Sequence, residues 1–175
     1  MPRVSLNFNL PDSSATEALG HALARALPDA VRSDIGQAAA AGAGAVQSGA
    51  VVYLQGELGS GKTTCVRSLL RSLGVTGLVR SPTYTLVETY RVATLTCVHV
   101  DLYRLQSLTE VDELGLRDQV GPASLLLVEW PERAGDALPP PDLELSLAYS
   151  DTGREISVKA HSAAGERCLA KSQDV

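Results

Sequence analysis

At 175 residues, 45% of them hydrophobic, the chain can bury one substantial core and needs no second unit, so a single domain over residues 1–175 is expected. A formal net charge of −5 argues against a large autonomous nucleic-acid surface and against DNA as a partner, because phosphate backbones are held mainly by clustered Lys and Arg. No apolar run reaches membrane-spanning length, Met1 to Leu10 lacks a secretory layout, and Cys65, Cys97 and Cys168 are odd in number and far apart; a cytoplasmic protein with reduced thiols is expected.

Val4 to Leu10 alternates apolar and polar side chains and stops at Pro11-Asp12, which predicts a half-buried strand and a turn. Ser14-Ala15-Thr16-Glu17 has the form of a capping box. Behind it Ala15, Leu19, Ala22, Leu23, Ala26 and Leu27 form one apolar helix face, with Pro28 expected to end the helix. Residues 29–49 are rich in Ala and Gly and read as an insertion with a partial helix, short of the large apolar groups that a core requires.

Gly56-Glu57-Leu58-Gly59-Ser60-Gly61-Lys62-Thr63 then satisfies G-x-x-x-x-G-K-[ST] at every fixed position. The required context is present: the β-prone run Val51 to Leu54 precedes it, and Val66, Leu69, Leu70 and Leu73 follow at helical spacing, with Gly74 as a stop. Such a loop turns backbone N–H groups around the phosphates of a nucleoside triphosphate. Lys62 supplies a cation for the outer phosphates and Thr63 a hydroxyl for Mg²⁺.

Arg80-Ser81-Pro82-Thr83 predicts a turn, with strands expected from Tyr84 to Val92 and from Leu95 to Val100 as a hairpin. A short helix is expected from Thr109 to Asp118. The continuous apolar run Leu125 to Val128 reads as a strand buried on both faces. Leu143 to Tyr149 and Glu155 to Ala160 form a second hairpin around Asp151-Thr152-Gly153, and Ser162 to Lys171 a last helix. Together these predict an α/β fold, a P-loop NTPase-like three-layer sandwich with a mixed parallel and antiparallel central sheet.

Asp101 and Glu129 each follow an apolar strand, at the end where open α/β sheets bind ligands. Each is a candidate for Mg²⁺ ligation or water positioning, or else a solvated strand end; Glu129 has the Walker B layout, although the usual acid there is Asp. Thr83 either reads a terminal phosphate from its turn or is ordinary turn chemistry. His99 reads as a packed, hydrogen-bonded strand residue, Trp130 as core or as a stacking surface, and Cys65 as a packing residue near a helix start. The phosphate loop alone leaves an ATPase, a small-molecule kinase and a non-hydrolytic nucleotide-dependent binding module open.

Four segments in order, Gly56 to Thr64, Ser81-Pro82-Thr83-Tyr84-Thr85-Leu86-Val87-Glu88, His99 to Leu105, and Val128-Glu129-Trp130-Pro131-Glu132, resemble the TsaE (YjeE) family, and the likeness is weakest over 29–49. The resemblance implies a Mg²⁺-dependent ATPase, weak alone, that works with TsaD and TsaB to make threonylcarbamoyladenosine beside the tRNA anticodon. The resemblance further implies that tRNA is met indirectly, through that complex. It also implies that Glu57, Leu58, Gly59, Ser60, Gly61, Lys62, Thr63 and Thr64 bind nucleotide, that Thr63 and Glu129 serve Mg²⁺, that Asp101 assists hydrolysis with Lys62 and Glu129, and that Thr83 is switch-like. By looser similarity Thr16 would approach the adenine and Arg154 the phosphates. Glu57 and Ser60 stand where the family often has Asp and Ala, neither at a fixed position.

Overall fold

The structure, a computed structural model, describes residues 4–41 and 49–172, with side chains described outside 28–41. In chain order it contains β1 (Val4–Leu10), α1 (Ser13–Ala41), β2 (Ala50–Gly56), α2 (Lys62–Leu73), β3 (Val87–Val92), β4 (Leu95–Asp101), α3 (Leu108–Glu113) and β5 (Ser124–Glu129). Two 3₁₀ turns (Pro131–Arg133 and Gly135–Ala137) follow, then β6 (Leu143–Ser150), β7 (Gly153–Ala160) and α4 (Ala163–Ser172).

All seven strands join one sheet in the order β1-β7-β6-β2-β5-β4-β3. Its centre is parallel, with β2 between β5 and β6 and β4 on the far side of β5; β3 on β4, β7 on β6 and β1 on β7 are antiparallel. The central strands are apolar on both faces because both are covered. Val52, Leu54, Leu125 and Leu127 pack with Leu23 and Leu27 of α1, Leu69 and Leu70 of α2 and Leu169 of α4. Val51, Val98, Val100, Leu126 and Val128 pack on the other side with Val111 of α3 and Ala134 between the 3₁₀ turns. This is the expected three-layer, mixed-sheet α/β architecture.

Three boundaries differ from the expectation. Helix α1 does not end at Pro28 but continues to Ala41. Proline removes one N–H from the helix ladder, a local loss that need not stop the chain from resuming helical geometry. Residues 42–48 of the expected insertion lie outside the described residues. Strand β3 starts at Val87, not Tyr84, because Leu86 adopts φ +61° and its N–H reaches back 2.6 Å to the Pro82 carbonyl, closing a turn. The predicted helix at Thr109 to Asp118 is shorter, Leu108–Glu113, capped by Ser107, and gives way to turns around Gly115.

Candidate functional site

The loop from Gly56 to Gly61 leaves the carboxyl end of β2 and feeds straight into α2, whose first residue is Lys62. Gly56 has φ +136° and lies so close to β6 that a Cβ there would run into the Leu147 carbonyl oxygen. Lys62, only 4% exposed, turns back over the loop. Its Nζ donates to the carbonyls of Gly56 (2.7 Å) and Glu57 (2.9 Å) and lies 3.9 Å from the centroid of the Trp130 ring. Burial holds the Lys62 ammonium below the usual lysine pKa, while Glu129, Glu132 and Asp101 oppose that fall.

Parallel pairing places Asp101 of β4 beside Glu129 of β5, both at the strand ends next to the loop. Glu129, 2% exposed, receives the Thr63 hydroxyl at 3.0 Å on Oε1 and 2.9 Å on Oε2, and His99 Nε2 lies 2.8 Å from Oε1. Asp101 has other partners. Its Oδ2 accepts from the Ser81 hydroxyl and from Thr83 Oγ1 (3.2 Å), and its Oδ1 from the Tyr103 N–H (2.9 Å). Neither carboxylate is a solvated strand end: both are buried, Asp101 anchored by two hydroxyls and Glu129 by one hydroxyl and an imidazole.

A cleft of about 510 Å³ opens over these groups, lined by Leu58, Gly59 and Gly61 to Thr64 of the phosphate loop and the start of α2, by Ser81, Thr83, Asp101 and Glu129, and by Tyr103, Arg104 and Trp130. Trp130 is therefore half-buried cleft wall, held by φ +61° at the end of β5 and tilted against Tyr103 at 5.1 Å between ring centres. Thr16 and Arg154 approach from outside the cleft wall: a Cβ built on Gly61 would stand 3.3 Å from Thr16 Cγ2 and 3.7 Å from Arg154. Arg154 Nη2 donates to the Gly59 carbonyl at 3.2 Å and Tyr149 Oη to that of Leu58 at 2.9 Å, so the β6–β7 hairpin braces the loop. Ser60 is buried beneath it and Glu57 is exposed on its rim.

The donor set suits Mg²⁺ shared with phosphates. A hydroxyl and a carboxylate oxygen, both hard ligands, meet at Thr63 and Glu129 beside a cradle of loop N–H groups and one lysine. Thr63 and Glu129 are the residues that could hold the ion, and Lys62 the one that could hold phosphate. Sequence reasoning read His99 as a packed, hydrogen-bonded strand residue, which it is, but did not name Glu129 as its partner; it also missed Ser81 as a partner of Asp101 and the cleft-lining Tyr103 and Arg104. The signal for His99 was present: Cys97, His99 and Asp101 alternate onto one face of β4.

Residues 10–156 match the family described as "Threonylcarbamoyl adenosine biosynthesis protein TsaE". The chain belongs to the TsaE family. Proteins named "tRNA threonylcarbamoyladenosine biosynthesis protein TsaE" include one from Haemophilus influenzae, 40% identical over 119 residues that span 68% of this chain and 75% of the relative. A second, from Synechocystis sp., is 37% identical over 133 residues, 74% of this chain and 72% of the relative. The crystal structure of YdiB from Bacillus subtilis superposes with a TM-score of 0.69 at 24% identity, covering 99% of this chain and 97% of that one; it speaks for the fold alone. The TsaE match takes in every candidate site residue from Thr16 to Arg154.

Proposed function

We propose that this chain is the ATP-binding and ATP-hydrolysing component of the machinery that makes threonylcarbamoyladenosine in tRNA next to the anticodon, acting in the cytoplasm with the TsaD–TsaB complex. The observation that carries the reading is the Thr63–Glu129 contact at the foot of a complete phosphate loop, with Asp101 on the same rung of the sheet. Membership of the TsaE family supports the pathway. No helix among the described residues is long and apolar enough to cross a membrane.

In this reading Lys62 leaves the Gly56 and Glu57 carbonyls to hold the outer phosphates, and the loop N–H groups surround them. Thr63 and Glu129 hold Mg²⁺, which when bound neutralises charge building on the phosphates. Asp101, fixed by Ser81, Thr83 and the Tyr103 N–H, orients the attacking water and accepts its proton. Thr83 couples phosphate occupancy to the Ser81–Leu86 turn, and Trp130 closes the side of the cleft. With a net charge of −5, the chain meets tRNA through its protein partners.

The test is ATP hydrolysis by the purified chain with and without TsaD–TsaB and tRNA, using Glu129→Ala as control. Slow turnover alone and a clear response to the complex are expected. A γ-phosphate label appearing on a metabolite would make the protein a small-molecule kinase. A Glu129→Ala protein that binds ATP and still supports full tRNA modification would make it a nucleotide-controlled binding module.

A further inference from the structure

We infer that His99 is a positioning residue for the metal site: it holds the Glu129 carboxylate in the orientation in which it can meet Mg²⁺. The inference rests on the proposed Mg²⁺–nucleotide reading of the cleft. His99 lies in the middle of β4 and is fully buried, and its Nε2 stands 2.8 Å from Glu129 Oε1. The partner is an acceptor, so Nε2 is the ring nitrogen that carries hydrogen. The other nitrogen, Nδ1, is buried with no hydrogen-bond partner among the described residues. Such an orphaned atom is a cost, and a buried ring that bears it for one contact to a carboxylate is placed there for that contact.

The other support of Glu129 is shared with the ion. Thr63 Oγ1 is bonded to both Glu129 oxygens, at 3.0 and 2.9 Å, and the same hydroxyl is the one the phosphate-loop pattern offers to Mg²⁺. A hydroxyl that ligates the ion gives it a lone pair and keeps its hydrogen, so Thr63 then serves ion and carboxylate at once, whereas His99 serves the carboxylate alone. Because His99 occupies Oε1, it leaves Oε2 directed at Thr63, where the ion would sit. Ring and carboxylate come from adjacent parallel strands, a rigid platform compared with a loop. Partners of this kind orient metal ligands, and their loss typically costs about 10- to 100-fold in metal affinity.

The test uses Trp130, the only tryptophan in the chain and part of the cleft wall, as a fluorescent reporter. ADP affinity is measured in EDTA, and Mg²⁺ is then titrated onto the ADP-loaded protein, for the unsubstituted chain and for His99→Leu, His99→Gln and His99→Asn. Leu removes the donor, the Gln amide reaches the place of Nε2, and the shorter Asn amide does not. The expected result is ADP affinity in EDTA within about threefold for all four, a Mg²⁺ midpoint raised about 10- to 100-fold for Leu and Asn, and recovery for Gln. Unchanged Mg²⁺ midpoints overturn the inference, as does equal loss of ADP affinity in EDTA, which marks a merely structural residue. Should His99→Leu not fold, equal midpoints for Gln and Asn would overturn it. Failure of the unsubstituted chain to bind nucleotide at all would instead sink the reading of the cleft, and the inference with it.

Discussion

Asp101 and Glu129 stand on one rung of two neighbouring parallel strands, yet the hydroxyls that hold them come from different elements. Ser81 and Thr83 of the turn before β3 bind Asp101, whereas Thr63 of α2 binds Glu129. The two acids are therefore separable by mutation. Asp101→Asn should lower ATP hydrolysis by about 10²- to 10⁴-fold, as for loss of a general base, while leaving Mg²⁺–ATP affinity within a few-fold. Glu129→Gln should weaken Mg²⁺ binding as well as hydrolysis. Steady-state hydrolysis read beside equilibrium Mg²⁺–ATP binding decides the matter, and indistinguishable profiles for the two variants would contradict the division of labour.

Lys62 offers a prediction of opposite sign for stability and function. Its ammonium is buried against its own loop, and that burial lowers its pKa, so its charge is a cost to the unliganded fold. Lys62→Met keeps the stem and removes the charge. The variant should melt at the same temperature as the unsubstituted chain or higher, and ATP should no longer raise that temperature. Ligand at about 100 times Kd stabilises a fold by roughly 2.7 kcal/mol, so the missing shift is easily seen in a thermal melt. A Lys62→Met protein still stabilised by ATP would refute the assignment.

Gly56 tests the geometry of the loop. At φ +136°, with the Leu147 carbonyl where a Cβ would go, Gly56→Ala faces backbone strain and a backbone collision together. Gly77 has φ +99° but nothing within 4 Å of such a Cβ. Gly77→Ala should cost about 1–2 kcal/mol from strain alone. Gly56→Ala should cost more and also impair ATP binding, because relief requires moving the loop away from β6. Urea unfolding and ATP titration of both variants provide the comparison; equal losses would show that the approach to Leu147 is unimportant.

The parts of this site legible in the sequence are those whose chemistry is local. The phosphate loop, the helix after it and the apolar run ending in Glu129 are contiguous, so spacing alone located Lys62, Thr63 and Glu129. Partners brought together by strand order were not legible: nothing local says that β4 lies beside β5, which is what sets His99 against Glu129 and pairs Asp101 with it. The same limit hid Tyr149, which reaches the Leu58 carbonyl from a hairpin far along the chain. Pro28 misled for a different reason: a proline interrupts the helix ladder only locally, and the chain resumes helical geometry beyond it as far as Ala41. Leu86 misled because its left-handed turn is set by contacts with Pro82 and Asp101 and not by its own side chain.

The three cysteines give a stability prediction with a defined pH window. Cys65, Cys97 and Cys168 are free and fully buried. Burial pushes the Cys65 and Cys168 thiols up to about 12 and that of Cys97 to about 11, against an ordinary value of 9.0. The folded chain therefore keeps protons that the unfolded chain releases. Their contribution to stability is complete below pH 9 and is lost as pH rises toward 11 to 12, at about 1.4 kcal/mol per pH unit for each thiol inside its window. The urea midpoint should thus be flat with respect to these groups up to about pH 8.5 and fall steeply by pH 10.5. Replacing Cys168 by Ala should make that fall shallower, because one raised thiol has been removed, at the cost of a small cavity visible as a lower midpoint at neutral pH. A slope above pH 9 that is the same with and without Cys168 would show that its thiol titrates in the fold as it does in the unfolded chain.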